Sequence, residues 1–321
     1  MIPEIIDYLD EVKSHLRLNP ESEKPVIREL HTHFQEKMGE LQEAGFSKED
    51  ACRAAVESFG RSRVVARRMY EAHSKGSWIE AAIASLPHLV FVCLFVLHLW
   101  LHPVLTPILL VAIVAVTLYG WWHGKPSWLY TWIGYALLPL LVGAYICASL
   151  LWGPGSFPSV WAVLVILAFI LFSIWAILLT TIGVVRRDWI LASLMLVPLP
   201  VFGGWLLNLE NGGGLLRGGV EVIHKFDMAM AGALIALAVT SAAFIRLRQR
   251  VMKIGALISI GIIAMAVAAH GLWGGLGFFG LLATALLLVA FLLSPALLEA
   301  RVGHGERGGE MWWGNGWLKS P

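Results

Sequence analysis

The sequence predicts an all-α polytopic membrane protein with about eight transmembrane helices and a small helical domain ahead of them. From about residue 79 to residue 298, the 321-residue chain is a succession of apolar stretches, each long enough to cross a bilayer. Hydrophobic residues make up 58% of the chain and charged residues only 14%, far from the balance of a soluble protein. The preceding segment of about 75 residues is charged and has helical periodicity. We therefore expect this first segment to fold in water and the remainder in lipid.

Charge is divided unevenly between these two parts. Residues 1–80 hold 12 of the 24 Lys/Arg and 15 of the 22 Asp/Glu, which leaves 12 Lys/Arg and 7 Asp/Glu for the rest. Neither part has the basic excess of a nucleic-acid-binding protein, so we expect no nucleic-acid partner. The three cysteines, Cys52, Cys93 and Cys147, have no spacing typical of a metal knuckle or a disulfide framework. They are interpreted as small apolar packing residues.

The first domain, residues 1–77, is predicted to contain four helices. Apolar residues recur at helical spacing up to Leu16, and Asn19-Pro20 ends that first helix. The second helix is predicted from about Pro25 to Glu43. A capping box at Ser47–Asp50 opens the third helix, which ends at Gly60, and the fourth covers about residues 61–73. Residues 1–18 lack the basic and apolar regions of a cleavable signal peptide, so we expect this domain to stay in the cytoplasm.

Three motifs in this domain carry a family resemblance. They are Glu29-Leu30-His31-Thr32-His33, Gly45-Phe46-Ser47-Lys48-Glu49-Asp50-Ala51 and Ser58-Phe59-Gly60. In this order the chain over about residues 2–75 resembles the permease-prefix domain, also described as a HAAS-type signalling domain, of bacterial membrane proteins. Members often have an acidic residue and a proline after the final glycine, where this chain has Arg61-Ser62. The resemblance implies a regulatory module ahead of a permease-like membrane region, and it brings no catalytic residues.

The predicted fourth helix and the chain just after it are basic. The cations are Arg61, Arg63, Arg67, Arg68 and Lys75. A basic amphipathic helix directly before a transmembrane span can lie on anionic lipid, and each charge then contributes about 1 kcal/mol. We therefore predict lipid-surface contact for these five residues. The alternative is an ordinary helix with a solvated basic face.

Eight spans are predicted in the membrane region, residues 78–299. They cover about residues 79–101, 103–122, 128–151, 160–182, 189–207, 228–245, 254–270 and 276–298. Lys and Arg concentrate in alternate loops, which predicts cytoplasmic N- and C-termini. The permease-prefix resemblance implies that the membrane is a bacterial plasma membrane. Tryptophans near span ends predict an aromatic belt, among them Trp78, Trp100, Trp122, Trp128, Trp161 and Trp205.

Packing inside the membrane region is predicted from small residues and prolines. Glycines and alanines in the last three spans indicate close helix packing there. Pro198 and Pro200 break the fifth span, with no matched break elsewhere. The outer loop at 208–227 and the Gly/Trp-rich tail at 300–321 are predicted to be flexible.

Chemistry-bearing residues are few in the predicted spans. No Asp or Glu lies deep within a span, and no phosphate-binding glycine loop or His-Glu-x-x-His zinc motif is present. We therefore expect no enzymatic activity, no cofactor and no metal. Histidines are the exception, because His98 and His270 end two different spans and a b-type haem can be ligated by two such side chains. The alternative is that these histidines bond to carbonyls at the water interface.

Two main functions remain open at this level. The first is a regulatory, scaffold or signalling protein whose cytoplasmic domain binds a protein partner. The second is a permease, or a permease subunit, for an uncharged or lipid-like substrate, and a b-type haem subunit is a third alternative. The missing intramembrane carboxylates and the prefix-domain resemblance favour the first.

Overall fold

The protein is built from α-helices, as predicted. A computed structural model describes residues 3–18, 20–152, 159–211, 224–270 and 277–302. These residues are 85% helical and contain no strand. Eight helical spans are long and apolar enough to cross a membrane, which confirms the predicted fold class. They begin and end within a few residues of the positions that hydropathy predicts.

Four helices precede the membrane spans and form the N-terminal unit. They are α1 (Pro3–His15), α2 (Pro20–Glu43), α3 (Lys48–Phe59) and α4 (Ser62–His73). Helix α3 begins at the expected cap, since the Ser47 hydroxyl accepts a hydrogen bond from the Asp50 amide at 3.1 Å. Helix α2 begins at Pro20 and not at Pro25 as predicted, because Pro20 itself occupies the first helical position, where no N–H is needed. Buried apolar residues of this unit form their own core, in which Phe34 stacks on Phe59 at 4.0 Å.

The eight spans comprise ten helices, because two spans are broken. The helices are α5 (Trp78–Val96), α6 (Leu105–Trp122), α7 (Leu129–Ala136), α8 (Leu138–Trp152), α9 (Val160–Val185), α10 (Trp189–Leu196), α11 (Pro198–Asn211), α12 (Asp227–Arg246), α13 (Arg250–Ala268) and α14 (Gly277–Val302). Helices α7 and α8 form the third span, and α10 and α11 form the fifth. We call the end of the bundle that receives the N-terminal unit the proximal end and the opposite end the distal end.

The fifth span occupies the centre of the bundle. Its residues are 83% buried, against 6% for the fourth span and 11% for the second. The small residues of the last three spans predict either close packing within the bundle or a surface for another subunit. The eighth span is only 17% buried, so close packing within the bundle does not hold for it. Small residues permit close approach of two helices but do not require it. At Gly255, in the seventh span, an added Cβ would meet no atom within 4 Å.

The break in the fifth span has a partner, contrary to the prediction. The third span breaks at Leu137, and the fifth breaks at Val197. The two spans touch next to these breaks, where the Met195 carbonyl occupies the space that a side chain at Gly134 would need. Proline explains both interruptions, because Pro139 and Pro198 cannot donate a helical hydrogen bond.

Tryptophans divide into two groups. Trp78, Trp122 and Trp161 are more than 70% exposed near span ends, as an aromatic belt requires. Trp128 and Trp205 are at most 9% exposed and pack inside the bundle, so the belt prediction is wrong for these two. An indole at a span end can face either lipid or protein, and hydropathy alone does not separate the two cases.

Parts of two predicted flexible segments lie outside the described residues. Helix α11 continues to Asn211 and helix α14 to Val302, so residues 208–211 and 300–302 are helical, contrary to the prediction. Residues 212–223 of the loop and 303–321 of the tail are not described.

Candidate functional site

Two buried aspartates lie at opposite ends of the bundle, and each stands at the start of a helix. Asp188 is 4% exposed at the proximal end and caps α10, where its side chain accepts from the Ile190 amide at 3.1 Å. Asp227 is fully buried at the distal end and is the first residue of α12. A carboxylate is favoured at a helix N-terminus, but its burial requires partners that satisfy its charge.

At the proximal end, arginines supply these partners. Arg250 holds Asp188 with two parallel hydrogen bonds, from Nη1 to Oδ2 at 3.0 Å and from Nη2 to Oδ1 at 2.9 Å. Arg17, just after α1, donates to Glu299 Oε1 at 2.8 Å and lies 3.6 Å from Asp188 Oδ1. We call these four residues the proximal ion-pair cluster. It joins the N-terminal unit to the fifth, seventh and eighth spans with two positive and two negative charges.

Tyr70 adds a second contact between the N-terminal unit and the bundle. This buried residue of α4 accepts a hydrogen bond from Lys253 Nζ of α13 at 3.1 Å. Burial, aided by the nearby Asp188 charge, raises the pKa of Tyr70 to about 12. The phenol is therefore neutral at physiological pH and stays available as an acceptor for the ammonium group.

The linker between α4 and α5 is fixed to the end of α12 and to the chain just after it. The Gly76 amide donates to the Ile245 carbonyl at 2.9 Å, and Arg246 Nη1 donates to the Gly76 carbonyl at 2.9 Å. The Ser74 hydroxyl donates to the Arg248 carbonyl at 3.0 Å. The N-terminal unit is thus held at three places: the ion-pair cluster, Tyr70 and this linker.

The cations predicted to contact lipid are all exposed. They are Arg61, Arg63, Arg67, Arg68 and Lys75. Within the N-terminal unit, Arg63 bonds to His15 at 3.0 Å and Arg67 lies 3.4 Å from Glu71. Exposure is required by both the lipid-bound and the solvated interpretation, so the lipid contact stays a prediction.

A neutral polar network occupies the middle of the bundle. His88 is fully buried; its Nδ1 lies 2.6 Å from the Tyr135 hydroxyl and its Nε2 2.7 Å from the Ser241 hydroxyl. Ser85 of the same helix donates to the Ala238 carbonyl at 2.9 Å. We call His88, Tyr135 and Ser241 the His88 network. It joins α5, α7 and α12 through hydrogen bonds between their side chains. The surrounding lipid offers no such hydrogen-bond partners.

At the distal end, imidazoles take the place of arginines. His98 Nδ1 lies 2.7 Å, and His224 Nδ1 2.6 Å, from the same oxygen, Oδ2 of Asp227. The Trp100 indole donates to both oxygens of this carboxylate at 3.1 Å. We call these four residues the distal cluster. Ligand atoms of His98, His224 and Asp227 all lie within 4.8 Å of one another, a grouping that the sequence analysis did not predict.

His98 has an unusual backbone conformation. Helix α5 ends with the His98 amide bonded to the Phe95 carbonyl and the Leu99 amide bonded to the Leu94 carbonyl. That is a Schellman motif, and His98 has φ of +57° at the position where glycine is preferred. An L-residue in this conformation costs about 1–2 kcal/mol. The motif turns the chain so that the imidazole reaches Asp227.

His270, the second residue of the predicted haem pair, has a different environment. Its side chain is exposed, and its ring centroid lies 6.1 Å from that of Phe226. The contacts of His98 in the structure are with Asp227 and His224. Haem ligation by His98 and His270 stays a prediction.

Asp188, Asp227 and His224 are the functional candidates that sequence reasoning missed. An aspartate directly before an apolar run is a helix-start signal, and Asp188 before Trp189 and Asp227 before Met228 both show it. That signal indicates a helix start but does not identify the partners of the carboxylate. Comparison of the chain with protein-family models, with curated proteins and with solved structures finds no match.

Proposed function

We propose that the protein is a non-enzymatic regulatory or signalling protein of the bacterial plasma membrane, whose N-terminal unit binds a protein partner in the cytoplasm. The proximal ion-pair cluster is the observation that carries this proposal. Through it, Arg17 of the N-terminal unit pairs with Asp188 and Glu299 of the bundle. A change in the bundle can thereby alter the position of the unit that meets the partner.

Charge complementarity makes this coupling specific. A guanidinium group is always protonated, so Arg17 and Arg250 keep their charges at every physiological pH. Removing Asp188 would leave the partly buried Arg250 without its counter-ion, which costs several kcal/mol. These ion pairs therefore favour one position of the N-terminal unit relative to the bundle.

The partner surface that we propose is acidic. Along α2, the side chains of Glu29, Glu36 and Glu40 are each more than 60% exposed. The resemblance of residues 2–75 to permease-prefix domains supports a regulatory role for this surface. We infer a partner with a basic face, since charge complementarity sets association rate and specificity. The concentration of Lys and Arg in proximal loops supports a cytoplasmic position for this end and for both termini.

The experiment that tests the proposal is purification of the tagged protein from its native membranes, followed by mass spectrometry of co-purifying proteins. A stoichiometric partner that is lost on deletion of residues 1–75 is the expected result. A triple Glu29→Gln, Glu36→Gln, Glu40→Gln variant should weaken the partner's binding, because these exposed acids supply the complementary charge. Recovery of the full chain alone, at every detergent concentration that preserves complexes, would contradict the proposal.

A permease is the second candidate, and the two adjacent broken spans favour it. Discontinuous helices often line substrate sites in transporters. Among the described residues, however, the chain is tightly packed at these breaks, as the Gly134–Met195 contact shows. The recess between α13 and α14 has a cavity volume of only about 10 Å³, far below the range of about 300–1,000 Å³ of typical ligand pockets. A permease should keep transport after deletion of residues 1–75, whereas a regulator should lose partner binding.

A further inference from the structure

We propose that the distal cluster is a binding site for a divalent transition-metal cation, with Zn²⁺ as the ion that its donor set fits best. His98, His224 and Asp227 supply the ligands, and Trp100 orients the carboxylate. This site is independent of the proposed regulatory function, since it lies at the other end of the bundle.

The donor set is the first argument. Two imidazole nitrogens and one carboxylate oxygen are the ligands of many zinc sites that leave a fourth position for water. Imidazole also suits Cu²⁺, Ni²⁺ and Fe²⁺, whereas Mg²⁺ and Ca²⁺ prefer oxygen ligands only. The chemistry of His98 and His224 therefore selects against the two most abundant divalent cations.

The second argument is geometric. Both imidazoles point Nδ1 at Asp227 Oδ2, at 2.7 Å and 2.6 Å. Tetrahedral Zn²⁺ with bonds of about 2.0–2.1 Å holds its ligand atoms about 3.3 Å apart. Each Nδ1 therefore needs to move only about 0.6–0.7 Å away from Oδ2 to reach this spacing, and ligand atoms of all three residues already lie within 4.8 Å of one another. His224 lies in the short stretch before α12 and His98 in the turn after α5, so small shifts of either are local.

The third argument is the support around the ligands. The carboxylate of Asp227 is fully buried and held by the Trp100 indole at both oxygens. Partners of this kind commonly orient metal-ligating carboxylates, and their loss typically weakens metal binding about 10–100-fold. His98 keeps a positive φ, which is uncommon for residues other than glycine. Strain retained at a residue that faces two other potential ligands is typical of a functional site.

The charge balance gives a fourth argument. Asp227 is fully buried beside two imidazoles and one indole, and a buried carboxylate needs a cation or hydrogen-bond donors to satisfy its charge. A divalent cation bound to His98 and His224 would offset this charge directly. Arg250 performs this task for Asp188 at the proximal end, whereas the described surroundings of Asp227 contain no comparable guanidinium contact.

The test uses the full chain, purified in detergent, stripped with EDTA and titrated with Zn²⁺ by calorimetry. Co²⁺ serves as an optical probe, because tetrahedral N/O coordination gives it visible absorption bands. We expect one Zn²⁺ per chain, with at least a tenfold weaker affinity in His98→Gly and in His224→Gln. His98→Gly should remain folded, since glycine suits the positive φ at this position.

His270→Ala and His102→Ala are the matched controls, because both histidines lie at the same end of the bundle and outside the cluster. Both variants should bind Zn²⁺ like the unmodified chain. Absence of a saturable Zn²⁺ site in the unmodified chain would overturn the proposal. Equal affinity in the unmodified chain, His98→Gly and His224→Gln would overturn it as well. Melting curves with and without Zn²⁺ provide a second readout, because a bound ion stabilises the folded state by mass action.

Discussion

The two ends of the bundle solve the same electrostatic problem with different residues. At each end a buried aspartate starts a helix and faces two nitrogen-bearing side chains. Asp188 faces Arg17 and Arg250, whose charges are permanent, whereas Asp227 faces His98 and His224, whose nitrogens can exchange a proton for a metal ion. The difference indicates a fixed joint at the proximal end and an exchangeable ligand site at the distal end.

The largest expected effect comes from neutralising the two aspartates separately. Asp188→Asn leaves the Arg250 guanidinium without its bidentate counter-ion and removes the second carboxylate near Arg17. It should lower the free energy of unfolding by about 3–5 kcal/mol. Asp227→Asn keeps an amide of the same shape beside two imidazoles and leaves no guanidinium group unpaired among the described residues. In metal-free protein it should therefore cost only about 1–3 kcal/mol. Denaturant titration of both variants in the same detergent measures the difference. Equal losses would remove the distinction between the two ends.

A smaller effect is expected between the two ends, in the neutral His88 network. Tyr135→Phe removes the hydroxyl that bonds to His88 and leaves a buried ring nitrogen without this partner. We expect a loss of about 1–3 kcal/mol in the same titration. Tyr119→Phe is the control, because Tyr119 is 55% exposed. A Tyr135→Phe variant as stable as Tyr119→Phe would contradict a stabilising role for the His88 network. The ion pairs and the distal cluster would then be the polar interactions that stabilise the bundle.

The smallest effect concerns the lipid contact of α4. Arg68→Gln removes one exposed cation near the proximal end and should weaken attraction to anionic lipid by about 1 kcal/mol. Its stability in neutral detergent should be unchanged, since the side chain is exposed. Hydrogen exchange of α4 in nanodiscs with and without anionic lipid measures the contact. Exchange that is insensitive to lipid charge in both the variant and the unmodified chain would favour the solvated interpretation.

Hydropathy predicted the eight spans because lipid imposes a length and a composition on every crossing helix. The break at Pro198 was also predictable, since proline removes a backbone donor wherever it stands. Neither ion-pair partners nor buried indoles could be predicted in this way. Arg17, Asp188 and Glu299 are far apart in sequence and meet only because their helices converge. Trp205 faces protein because the fifth span is central, a fact about neighbouring helices and not about the tryptophan.

The distal cluster illustrates the same limit for sites. From the sequence, His98 is a histidine at a span end, and together with His270 it suggests a haem site. The structure brings His98 to Asp227, which lies at the end of the predicted outer loop at 208–227. Positive φ at His98 is invisible in the sequence, because it follows from the Schellman turn and not from the residue type.

The most direct measurement of the central claim is hydrogen exchange of helices α1–α4 in the full chain, compared between Arg17→Met and Arg67→Met. Arg17 bonds to the bundle, whereas Arg67 faces Glu71 within the N-terminal unit, and both changes remove one charge of equal size. We expect Arg17→Met to speed exchange where the unit meets the bundle by about tenfold or more. Arg67→Met should leave that exchange unchanged. Identical exchange in both variants would contradict docking of the N-terminal unit through the proximal ion-pair cluster.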